Sequence, residues 1–69
     1  MTLMHMAASY RHSGELIRLR IIALKDQARS AEPEERRQLE QRIKDLNTLY
    51  RETRETAVIL ERYYDRRYH

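Results

Sequence analysis

The sequence predicts an all-α fold: an antiparallel two-helix hairpin, coiled-coil-like, assembling as a dimer into a four-helix bundle. Three observations carry this. Apolar residues recur at alternating spacings of four and three through most of the chain. Turn-forming residues are nearly absent, with one Gly and one Pro in 69 residues. The charged fraction is 36%, with no Cys, Phe or Trp, a composition typical of long helices.

The only credible break is Ser30-Ala31-Glu32-Pro33-Glu34-Glu35. Proline suits the first turn of a helix, where its missing N–H costs nothing. Glu34 and Glu35 would then face the positive end of the helix dipole. The chain reads as one domain over 1–69, with helix 1 at about 3–30, the turn at about 31–33 and helix 2 at about 33–67. Glu32 is a mediocre N-cap, which leaves that boundary loosely set.

Helix 1 carries the stripe Leu3, Ala7, Tyr10, Gly14, Ile17, Ile21, Leu24, Ala28, Ala31. Helix 2 carries Leu39, Ile43, Leu46, Tyr50, Thr53, Ala57, Leu60, Tyr64. Each holds its phase for more than three heptads, the pattern of a helix seam. Folding at the turn pairs Leu24 with Leu39, Ile21 with Ile43, Ile17 with Leu46, Gly14 with Tyr50, Ala7 with Ala57 and Leu3 with Leu60. The expected core is Ile17, Ile21, Leu24, Leu39, Ile43, Leu46, Tyr50 and Leu60. Gly14 costs about 1 kcal/mol relative to Ala in a helix interior. The residues before it therefore read as a frayed or separate short segment.

A hairpin needs one apolar stripe per helix, and this chain has more. Leu16, Leu19, Ile22 and Ala23 lie away from the inner stripe of helix 1; Leu49, Val58 and Ile59 do so on helix 2. A domain this small buries little surface alone and usually adds disulfides, metal or oligomerisation. With no Cys, these seven residues are the expected oligomer interface, and a homodimer is the first choice.

Net charge is +3. Residues 1–30 supply all of it through Arg11, Arg18, Arg20, Lys25 and Arg29 against Glu15 and Asp26. The two termini meet at the open end of the hairpin, bringing Arg and Tyr together. Guanidinium groups neutralise phosphates and aromatic faces stack on bases. The alternative function is thus nucleic-acid binding through Arg11, Arg18, Arg62, Arg66, Arg67 and Tyr68. Against it, arginines at a helix C-terminus also simply complement the dipole.

Other chemistries find little support. His5 and His12 are about 10 Å apart along a helix, too far to chelate one ion. Ser9 and His12 share a face but have no orienting acid or oxyanion cradle. One glycine cannot build a phosphate loop. No apolar run approaches the roughly 20 residues of a membrane span, and no secretory signal is visible. The expectation is a non-enzymatic cytoplasmic interaction module without cofactors, a small regulatory or adaptor protein.

The Ala8-Ser9-Tyr10-Arg11 start, the Pro33-Glu34-Glu35-Arg36-Arg37 turn exit and the Leu60-Glu61-Arg62-Tyr63-Tyr64 ending resemble small α-helical proteins of bacterial prophages and mobile elements. That resemblance implies a bacterial source and no particular activity. Sporulation phosphatases have a similar size and shape. Their Ser-Gln-Glu-Leu-Asp motif is replaced here by Arg42-Ile43-Lys44-Asp45-Leu46. The dimeric helical hairpin that binds RNA in plasmid copy control is an analogy of architecture alone.

Overall fold

In a computed structural model, which describes residues 2–68 with the side chains of residues 67 and 68 excepted, helix α1 spans Leu3–Arg29 and helix α2 spans Pro33–Tyr68. The two pack side by side as an antiparallel hairpin, about 53 Å long and 15 × 14 Å across. The length is that of α2 itself, whose 36 residues rise about 1.5 Å each.

Helix α1 does not fray before Gly14. It starts at a true N-cap, Thr2, whose hydroxyl oxygen accepts from the His5 backbone N–H at 3.1 Å, while Met6 N–H donates to the Thr2 carbonyl at 3.0 Å. A threonine cap offsets about as much free energy as Gly14 removes. Packing against α2 then carries the helix through the glycine. Gly14 keeps ordinary helical backbone, since no described residue has positive φ. A Cβ built on it would lie 3.7 Å from Tyr50 Cε1 and 3.8 Å from Thr53 Cγ2, ordinary contact distances. The expected Gly14–Tyr50 pairing is therefore present, but no close approach demands glycine. Gly14→Ala should stabilise the protein by about 0.8–1.0 kcal/mol. Its thermal midpoint should rise by roughly 4–8 °C, measured by circular dichroism. A fall would mean the tyrosine ring cannot share that space.

The turn is tighter than its sequence suggests. Arg36 reaches back across it, donating from Nε to the Ala28 carbonyl at 3.1 Å and from Nη2 to the Ala31 carbonyl at 3.2 Å. The last carbonyls of a helix have no intrahelical partner. The Ala28 carbonyl also accepts from the Ser30 and Ala31 backbone N–H groups, and Arg36 adds a cation there that complements the dipole and ties the Ala31 carbonyl in the turn. Spacing alone pairs Arg36 with Glu32, but its side chain leans toward the N-terminus of α2 and so onto the end of α1. Glu32 contributes its carbonyl instead, accepting from the Arg36 N–H at 2.7 Å.

The core is thinner than expected. Ile21, Leu24 and Leu39 are buried, joined by Ala7, Gly14, Thr53 and Ala57. Ile17, Ile43, Leu46, Tyr50 and Leu60 are only half-buried, and Tyr10 is 40% exposed. Two helices cover each other along a single line, so a large side chain on that line keeps one flank in solvent. The residues that disappear completely are small or central. Among the described residues, no helix is long and apolar enough to cross a membrane.

Candidate interaction faces

The inner stripes set the phase of each helix, and that phase sorts every other residue onto one of two broad faces or an outer edge. Two observations check the sorting. Arg11 on α1 pairs with Glu61 on α2, and a concavity of about 340 Å³ is lined by Tyr10, Arg11, Gly14, Glu15, Tyr50 and Arg54. These residues share one side. On the opposite side Gln27 lines a depression with Glu35, Gln38, Leu39 and Arg42.

The first broad face is crowded with charge. Helix α1 brings Arg11, Glu15, Arg18, Lys25 and Arg29; α2 brings Glu40, Lys44, Arg51, Arg54, Glu61 and Asp65. Ile22 and Val58 are the large apolar residues set among them, with Met4 near the open end. Arg11 donates from Nε to Glu61 Oε1 at 3.0 Å, bridging the arms. Side chains lean toward their own N-termini, so in an antiparallel pair these two converge from staggered positions. The hydrogen bond to Glu61, then its charge, holds the Arg11 guanidinium above its ordinary pKa. Within α1, Arg18 grips Glu15 at 2.7 and 3.2 Å. That hydrogen bond lowers the Glu15 carboxyl and raises Arg18. Asp26–Arg29 closes loosely at 3.8 Å. The other close spacings, Glu40–Lys44, Glu32–Arg36 and Glu34–Arg37, are not ion pairs.

The second broad face is different. Helix α1 presents Met6, Ser9, Ser13, Leu16, Arg20 and Gln27, with Ala23 at the border; α2 presents Arg42, Asp45, Leu49, Glu52, Thr56 and Tyr63, with Ile59 at the border. Charges are sparse, and large apolar side chains are open: Leu16 is 55% exposed, Leu49 47%, Ile59 64% and Tyr63 53%. Thr56 adds no free hydroxyl, since its Oγ1 donates to the Glu52 carbonyl at 2.9 Å.

The structure therefore divides the residues expected to form one interface. By the phase of each helix Leu16 and Leu49 lie toward the sparsely charged face, while Ala23 and Ile59 stand at its border with the outer edges, where grooves set them beside Ile22 and Val58. Ile22 and Val58 fall on the charged one. Leu19, half exposed, sits on the outer edge of α1, where a shallow groove also touches Ile22, Ala23, Lys25, Asp26 and Arg29. Val58 and Ile59 edge a similar groove on α2, between Arg51, Arg54, Glu55 and Arg62. Spacing along each helix showed which residues were left outside; only the relative placement of the two helices shows which of them are neighbours.

The nucleic-acid set is divided too. Arg11 and Arg18 are engaged with carboxylates on the charged face. Arg62 and Arg66, one turn apart, stand at the outer edge of α2, away from Arg11 and Arg18. The side chains of Arg67 and Tyr68 lie outside the described residues, as does His69. Among the described residues no cluster of three His, Asp or Glu side chains converges. No protein-family model, curated protein or solved structure matches this chain.

Proposed function

We propose that the protein is a non-enzymatic helical interaction module, a small regulatory or adaptor protein that works as a homo-oligomer. One observation carries the reading: the hairpin exposes more surface than a compact chain of its size, and several large apolar side chains stand in it half exposed or more. Its accessible surface is 5841 Å². A compact monomer of 8.5 kDa exposes about 4,700 Å², so the excess is roughly 1,100 Å². An ordinary protein interface takes about 800 Å² from each partner. The sparsely charged face, with Leu16, Leu49, Ile59 and Tyr63, is where that area is least costly to remove from water. The rival reading, nucleic-acid binding, gains less from the geometry, because among its described arginines Arg11 and Arg18 are engaged with carboxylates and stand apart from Arg62 and Arg66 on the outer edge of α2.

Light scattering tests the proposal. The wild type should have a mass that is a multiple of 8.5 kDa and a melting temperature that rises with concentration. Leu16→Glu with Leu49→Glu should return it to the mass of one chain while keeping helical content. Each lost leucine contact is worth about 1.5–3 kcal/mol, so the pair should weaken assembly by well over 100-fold. Ile22→Glu with Val58→Glu, on the charged face, should leave the mass unchanged. A single-chain mass for the wild type, or equal effects of the two pairs, would overturn the proposal.

A further inference from the structure

We infer that the occupant of the sparsely charged face is a second copy of this chain, packed about a two-fold axis parallel to the hairpin so that both turns lie at the same end. The inference rests on the self-association proposed above and adds the partner's orientation.

A face that meets its own copy through a two-fold axis has two ways to do so. With the axis along the hairpin, α1 lies on the partner's α2, and every residue meets neighbours at its own height above the turn. With the axis across the hairpin, α1 lies on the partner's α1 and α2 on the partner's α2, and the open end of one copy covers the turn of the other.

Heights decide between them. The residue pairing in the hairpin places Leu16 level with Leu49, roughly halfway along. Above them, toward the open end, come Met6, Ile59 and Tyr63. Below, toward the turn, come Gln27, Arg42 and Glu35. The open half thus carries the large apolar residues, set among Ser9, Ser13, Glu52 and Thr56, where the turn half has only Ala23. Same-end packing lays Leu16 on the partner's Leu49 and keeps the open half against itself. Opposite-end packing lays Ile59 and Tyr63 over the polar turn half.

Charge points the same way. Arg20 stands slightly below Asp45 in height, on the other helix. Its side chain leans toward the open end, and that of Asp45 leans toward the turn. Same-end packing therefore brings Arg20 onto the partner's Asp45, twice by symmetry. Opposite-end packing centred on Leu49 instead sets Glu52 against the partner's Asp45, a juxtaposition of like charges. Area agrees as well. The surplus of roughly 1,100 Å² per chain exceeds the about 800 Å² that each partner of an ordinary interface contributes. The charged faces then remain outward, on the two sides of the bundle.

Because the chain has no cysteine, Glu32→Cys gives a single attachment point at the turn for a nitroxide spin label. The dipolar distance between the two labels in the dimer should be within about 25–30 Å, two helix diameters plus the label arms. A distance near the 53 Å length of the hairpin would overturn the same-end arrangement and leave self-association standing. A mass other than that of two chains would overturn the two-fold dimer, and a monomer would sink the association as well. Glu34→Cys, one turn-facing residue further on, repeats the measurement against local disturbance by the label. Arg20→Asp should weaken the dimer, and adding Asp45→Arg should restore it; failure of that rescue would remove the cross-subunit pair.

Discussion

Ala57→Asp should leave the chain without a stable fold. Ala57 is completely enclosed, at 0% exposure, and the register sets it opposite Ala7, at 2%. These small residues let the two helices run close together in the open half. An aspartate there needs either a widened hairpin or a carboxylate without water, at a cost of several kcal/mol. A chain of 69 residues has a total stability of about 3–10 kcal/mol, so the variant sits at or beyond the limit of folding. Circular dichroism should show lost helix and no cooperative melt at neutral pH. Acidification should recover part of the structure, because the protonated acid is easier to bury. Ala57→Leu separates charge from bulk, with a smaller loss of about 1–3 kcal/mol from overpacking. A cooperative melt close to wild type for Ala57→Asp would show that the arms do not touch at this level.

Ile21→Ala should have the next largest effect. Ile21 is 6% exposed and lies on the inner line of α1, close to the turn-side cluster of Leu24 and Leu39. Truncation removes buried methyl groups and leaves a cavity, at a cost of about 2–5 kcal/mol. The hairpin has no third layer that could collapse into the gap. Urea denaturation should show a midpoint lowered by a large fraction of its wild-type value. Leu19→Ala is the matched comparison. Leu19 is two residues away and 51% exposed, on an outer edge that the proposed dimer leaves uncovered. Its truncation should change stability by within about 0.5 kcal/mol. Equal losses for the two would mean the inner stripe has been given the wrong phase.

The hairpin was legible in the sequence because a helical stripe is a local property. Spacings of four and three identify the inward residues of each helix without knowledge of the other, and Pro33 marks the one place to fold. Gly14 meeting Tyr50 follows from those two facts alone. Other features were harder to see because they depend on where a side chain lands. Thr2 caps α1 and so the residues before Gly14 stay helical, an outcome a propensity argument at Gly14 does not anticipate. Arg36 has the right spacing for Glu32 but reaches the Ala28 carbonyl of α1 and the Ala31 carbonyl of the turn. Arg11 and Glu61 are 50 positions apart and meet only because both lean inward along antiparallel helices.

By itself, the amino-acid order determined that this protein is two amphipathic helices around one turn, with apolar residues left outside the seam. That much follows from the 3.6-residue repeat, which assigns each side chain an angle around its own helix. Tertiary structure alone decided which of the leftover residues stand together: Leu16 and Leu49 toward one broad face, Ile22 and Val58 among charges on the other, Leu19 on an edge, and Ala23 and Ile59 at the borders between. The reason is geometric. An angle around a single helix says nothing about the neighbour's angle or height, and a surface shared by two helices exists only once both are set.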